Sequence, residues 1–132
     1  DYSKEAKVLV SGEPRNDGLN ILKGYPGPKG LQIPGAVDAA VVLDLGKVFP
    51  VSRLRIVWGN EQTVPEAWKI DISEDGQNWK KWLTVDKTRT DPYDQWPGFE
   101  YYAAGETPAR YMRYSQSPPE KEIYLRQLSV FK

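Results

Sequence analysis

The chain has 132 residues, 18 basic and 18 acidic side chains, and neither Cys nor His. That length can bury roughly two thirds of its unfolded surface as one domain without staples. The missing Cys removes disulfide and thiol chemistry, the missing His removes the commonest general base and metal ligand, and balanced charge leaves no global field to attract nucleic acid or an anionic membrane.

Short apolar or alternating segments recur along the chain, and no run carries 3.6-residue periodicity with caps, so the fold is predicted to be all-β. Lys7 to Val10 is the first strand candidate. The longest connection, Ser11 to Ala40, holds Asp17-Gly18, Tyr25 within Gly24-Tyr25-Pro26-Gly27-Pro28, and the apolar Ile21, Leu22, Leu31 and Ile33. Val41 to Leu45 is separated from Val51 to Trp58 by Gly46-Lys47. Period-2 alternation puts Leu54, Ile56 and Trp58 on one face and Arg53, Arg55 and Val57 on the other. Asn60 and Glu61 open the connection Gly59 to Glu66, and Ala67 to Ser73 is the next strand. Asp75-Gly76 then supplies turn chemistry before Trp79 to Val85. Asp86 to Gly98 carries Arg89, Asp91, Tyr93, Asp94 and Trp96. Phe99 to Ala103 and Tyr111 to Ser115 flank Gly105-Glu106-Thr107-Pro108, and Gln116 to Glu122, with Glu120, leads into Ile123 to Phe131. The 11 prolines fall between these segments or at their edges, where a missing N–H does no harm.

Evenly spaced short strands suggest a sandwich or barrel. If successive strands run antiparallel, Gly46-Lys47, Glu74 to Asn78 and Gly105 to Pro108 close one end, and the four long connections gather at the other. Long loops on a rigid scaffold are where binding surfaces are usually built. That end collects Tyr25, Lys29, Asn60, Glu61, Arg89, Asp91, Tyr93, Asp94, Trp96, Gln116 and Glu120, a mixture of rings and fixed polar groups that suits a sugar. Trp58, Trp68, Trp79 and Trp82 read as core, and Arg110 and Arg113 as a salt-bridged face.

Five segments together resemble a discoidin domain, also called the coagulation factor V/VIII type C domain, which includes the family 32 carbohydrate-binding modules. They are Leu43-Asp44-Leu45-Gly46-Lys47, Val51 to Trp58, Ile70 to Trp79, Ala109 to Tyr114, and Leu125 to Phe131. The resemblance implies an eight-stranded antiparallel jelly-roll β-sandwich of the galactose-binding-like type, spanning residues 1–132 as one domain excised from a larger protein. It also implies a structural Ca²⁺ in the first loop, with Asp17 as side-chain ligand. Here Gln127 stands where the family's Glu is expected, and Leu19 and Leu22 where Asn and Thr are usual. Lost ligand charge weakens Ca²⁺ binding.

The implied function is non-catalytic carbohydrate binding through loops at one end, with Tyr25, Asn60, Glu61, Arg89, Tyr93, Trp96 and Glu120 as ligand-binding residues. The implied setting is a monomeric module, attached to a larger chain, in a secreted or cell-surface bacterial protein. The alternative is a protein- or lipid-interaction module on the same scaffold, and exposure of the apolar loop residues would favour it. Few basic residues in that loop argue against a membrane partner. An enzyme is the weakest reading, because nothing fixes a nucleophile beside a base.

Overall fold

The computed structural model describes residues 1–23, 29–34, 40–88 and 98–132. The described strands are β1 (Lys7–Val10), β2 (Glu13–Pro14), β3 (Leu31–Ile33), β4 (Val41–Trp58), β5 (Ala67–Ser73), β6 (Lys80–Val85), β7 (Gly98–Ser117) and β8 (Ile123–Phe131). Two 3-10 helices, Asn16–Leu22 and Glu61–Thr63, are the only helices among the described residues. All pairings are antiparallel.

Two long strands build the sandwich. The first half of β4 lies in a layer ordered β2-β1-β4-β7-β5-β6, and its second half pairs with β8, which carries β3 at its edge. β7 makes the same passage beside it: Val41 pairs with Tyr114 in the first layer and Val57 with Gly98 in the second. Gly46-Lys47 and Gly105 to Pro108, expected to reverse the chain between separate strands, instead bend continuous ones. Gly46 (φ 88°) and Gly105 (φ 100°) take the left-handed backbone that a bend or a tight turn equally demands. The ladder shifts register between Asp44 and Phe49 and again between Val51 and Arg53. The described residues thus form eight strands, the number expected, although β4 and β7 each absorb two candidates and β2 and β3 are additional.

The core lies between the layers, where Leu43, Leu54, Ile56, Trp58, Ile70, Ile72, Met112, Leu125 and Leu128 are fully buried. Trp58 and Trp68 meet edge-on at 5.8 Å, and Trp68 meets Tyr101 at 4.8 Å. A polar thread crosses this apolar space: Trp58 Nε1 donates to Tyr114 Oη at 3.0 Å, and Tyr114 Oη donates to Gln116 Oε1. Burial pushes the Tyr114 hydroxyl far above its ordinary pKa, so it stays a donor at any working pH. Trp82 packs partly buried against the core. Trp79 is not core: it covers the outer face of the first layer, 4.2 Å beneath the Arg113 guanidinium. Arg113 also reaches Asp71 at 3.1 Å, and Arg110 grips Asp44 at 2.9 Å, as expected of a salt-bridged face.

The outer ends of the terminal segments meet at the bend end. Tyr2 N donates to Val130 O at 2.9 Å, and the Tyr2 ring stacks on Phe49 at 4.3 Å. The β5–β6 turn lies at that end too. Asp75 Oδ1 accepts from Gln77 N and Asn78 N, both at 2.8 Å, and Ser73 Oγ accepts from Gly76 N at 2.9 Å. The donors on Asn78 and Gln77 stabilise the ionised form and hold the Asp75 carboxyl well below the usual carboxylate range.

Two outcomes follow from these contacts. Tyr114→Phe leaves the buried Trp58 N–H without an acceptor and is expected to cost about 1–3 kcal/mol in chemical denaturation. Because the Asp75 pKa is depressed on folding, its contribution is present above the ordinary carboxylate pKa and lost as pH falls through the folded value. Asp75→Asn should therefore lower the melting temperature at neutral pH and flatten its decline in acid, as followed by circular dichroism.

Candidate functional site

The pairing register brings both ends of each long connection to one end, as the alternation argument required, although the first connection turns back between them: β2 pairs with β1, and Leu19, Leu22 and Lys23 lie beside Lys4. Since β4 and β7 each bend back, Val41 and Trp58 lie at the same end, and so do Gly98 and Ser117. Trp58 pairs with Leu125, Ala67 with Ser117, and Trp68 with Val85, which brings the ends of β5, β6 and β8 alongside.

Asn60 is exposed on this end and begins the short 3-10 helix. Its Oδ1 accepts from Thr63 N at 3.0 Å, and Thr63 Oγ1 in turn accepts from Asn60 N at 3.3 Å, a reciprocal cap. The carbonyl half of the Asn60 amide is therefore structural. Its NH₂ half makes no hydrogen bond among the described residues and is available to a ligand. Glu61 occupies the first position of that 3-10 helix, and the description does not extend to its side chain.

The backbone just before Asn60 is held by β8. Gly59 N donates to Tyr124 O at 2.8 Å, and a Cβ at position 59 would lie 2.1 Å from the Tyr124 ring. A Cβ on Gly30 would come within 3.0 Å of the same ring. Only glycine lets the two loops close on that partly exposed aromatic. Tyr124 is thus a ring at the candidate site that was not singled out from the sequence, where it reads as one more position in the closing strand.

Gln116, grouped with the ligand-binding residues by position, is instead a brace. It accepts from Tyr114 Oη and donates through Nε2 to Glu122 O at 3.1 Å, tying the turn after the cis Ser117-Pro118 bond to the core. Glu120 is exposed on that turn. Gln32 reaches Glu122 at 3.4 Å, and Lys29 is exposed beside the same strands. Thr88 is buried with no partner for its hydroxyl, and Lys69, Thr84, Asp86, Ser115 and Ser117 line a shallow depression on the adjoining face. Tyr25, Arg89, Asp91, Tyr93, Asp94 and Trp96 lie outside the described residues.

Neither side chain that the resemblance sets beside a calcium ion, Asp17 or Gln127, is free to take one. Both oxygens of Asp17 are engaged by Arg15, whose Nε and Nη2 donate at 2.9 Å and 2.7 Å. Gln127 is fully buried and committed elsewhere, accepting from Arg55 Nε at 3.2 Å and donating to Ser129 Oγ at 3.1 Å. No cluster of three or more His, Cys, Asp or Glu side chains gathers among the described residues.

The sequence profile of the F5/8 type C domain family matches residues 10–122. Among solved structures, CpGH89CBM32-6 produced by Clostridium perfringens is similar at 20% identity and TM-score 0.72, over 97% of this chain and 94% of the other. Chitosan-binding module 2 in complex with chitotriose, from a chitosanase/glucanase of Paenibacillus sp. IK-5, matches at 16% identity and TM-score 0.77, over all of both chains. A Streptococcus pneumoniae fucose binding module matches at 13% identity and TM-score 0.78, over 99% and 94%. No curated protein matches the chain.

With a guanidinium already seated on Asp17, the loop is expected to be independent of added metal. A bound ion at one hundred times its Kd would add about 2.7 kcal/mol to stability, so millimolar CaCl₂ would raise the melting temperature by several degrees over EDTA. Differential scanning fluorimetry should show no difference between the two, and Arg15→Gln should lower the melting temperature in both.

Proposed function

The chain belongs to the F5/8 type C domain family, and on that premise we propose that it is a non-catalytic carbohydrate-binding module whose ligand sits at the long-loop end of the sandwich. The observation that carries this reading is that all four long connections start and finish at one end of a rigid scaffold. There the Asn60 NH₂ group, the edge of Tyr124 and the exposed Glu120 offer a donor, an apolar surface and an acceptor. Sugars are held by that combination: ring C–H groups against an aromatic, and hydroxyls on a few fixed polar groups. Tyr25, Glu61, Arg89, Tyr93 and Trp96 belong to the same loops in sequence and complete the proposed set.

The similar modules from Paenibacillus and Streptococcus carry chitosan and fucose in their names, which supports glycan as the ligand class. Attachment of the former to a chitosanase/glucanase supports a parent protein that is secreted or displayed at the cell surface. The lipid-interaction reading loses its support from sequence. Ile21, Leu22 and Leu31 are buried and Ile33 packs against the core, so these are not apolar loop tips.

Glycan arrays followed by calorimetry test the proposal. Binding to at least one glycan is expected, and its absence at millimolar sugar would sink the idea. Asn60→Asp keeps the cap acceptor and removes the NH₂ donor, so melting should be preserved. Affinity should fall about tenfold, the loss that goes with one good hydrogen bond to a ligand. Trp96→Ala should weaken binding by at least as much.

A further inference from the structure

The two outer faces of the sandwich treat arginine differently. On the first layer, Arg110 and Arg113 are each matched to an aspartate. On the second, Arg53 and Arg55 project from β4 away from the buried Leu54 and Ile56, and neither has an ion-pair partner among the described residues.

Their surroundings hold them in place with one carboxylate, Glu100, against two guanidinium groups, and that carboxylate forms no ion pair with either. Arg53 stands between Tyr102 of β7 and Phe131 of β8 in the ladder, with its Cζ 4.3 Å from the Phe131 ring centroid and its Nε without an acceptor. Arg55 spends only Nε, on the Gln127 amide oxygen at 3.2 Å. Glu100, the carboxylate opposite Arg55, accepts instead from Tyr102 Oη at 3.1 Å. Tyr102 itself is 68% exposed, the most exposed large hydrophobic side chain described.

The Cα atoms of residues two apart on one strand stand roughly 7 Å apart, so both guanidinium groups leave the same face within reach of one chain segment. Each retains N–H groups in the planar fork that matches a carboxylate or sulfate, and ring stacking limits the motion lost on binding. The exposed Tyr102 ring beside them supplies an apolar surface for a sugar. We propose that this face is a second glycan-binding surface, separate from the long-loop end and selective for anionic chains bearing uronate or sulfate groups. The glycan character of the ligand rests on the carbohydrate-binding reading above, whereas the demand for an anion rests on the unpaired arginines alone.

The test is binding to immobilised polygalacturonate, heparin, neutral dextran and a DNA duplex at low and moderate ionic strength. Binding to polygalacturonate or heparin but not dextran is expected, weakening as salt rises, and the stronger arm identifies carboxylate or sulfate as the group recognised. Arg53→Gln with Arg55→Gln should reduce this binding at least about tenfold, the loss of one charge-assisted hydrogen bond or more. The same double variant should leave neutral-glycan binding at the loop end intact. Tyr102→Ala, a change at an exposed position, should weaken anionic binding without altering the melting curve, which keeps the test decisive if the arginine variant folds poorly. The proposal is overturned if neither polyanion binds at low salt, if DNA binds as well as the glycans, or if the Tyr102→Ala or arginine variants bind undiminished. It is likewise overturned if Asn60→Asp abolishes anionic binding. Anionic binding with no neutral-glycan binding would instead remove the loop-end site and leave this one standing.

Discussion

Three hydrogen bonds in series connect parts of the molecule that apolar packing alone would leave free to slide. Trp58 belongs to the second layer, Tyr114 and Gln116 to the first, and Glu122 to the turn beyond; each passes one donor to the next. Apolar contacts between facing sheets are non-directional and tolerate small shifts of register, but a buried donor has one acceptor and a steep penalty for losing it. The thread fixes the spacing and lateral position of the layers at the end where the long loops emerge. It also explains why Gln116 is spent on architecture: its amide is the piece that converts core order into loop order.

The bends in β4 and β7 create the remaining geometry. A strand that folds through both layers returns both of its ends to the same side, so the loops need no long crossings to meet. The same bends give the sandwich two chemically distinct outer faces. The first is closed by matched ion pairs and the Trp79–Arg113 stack, and the second holds two arginines without an ion-pair partner among the described residues. The difference between the faces bears on what each can recognise.

Period-2 alternation in Val51 to Trp58 and Ala67 to Ser73 carried enough information to place the inner and outer faces, because one-sided burial forces that pattern on a strand. It could not show that Val41 to Leu45 continues into Val51 to Trp58. A bend and a reversal ask the same of Gly46, and only pairing with residues more than forty positions away distinguishes them. β2 and β3 are too short to show any period. The closing strand hides a further complication: the ladder shifts between Val57 and Trp58, so the inward set passes from Ile123 and Leu125 to Leu128 and Val130. Of the candidate site, Asn60 was legible by its position after Trp58, and its cap with Thr63 is a local motif that could have been read as well. Gln116 and Tyr124 were not legible, since their roles depend on partners from distant strands.

Tyr2 against Phe49, with its amide on Val130, brings the first and last residues to the end of the sandwich farthest from Asn60. The molecule therefore carries its two termini at one end and Asn60 at the other. Whatever is joined through either terminus, whether a neighbouring domain, a bead or a sensor chip, holds the protein from behind, and the long loops face outward into the medium without further orientation.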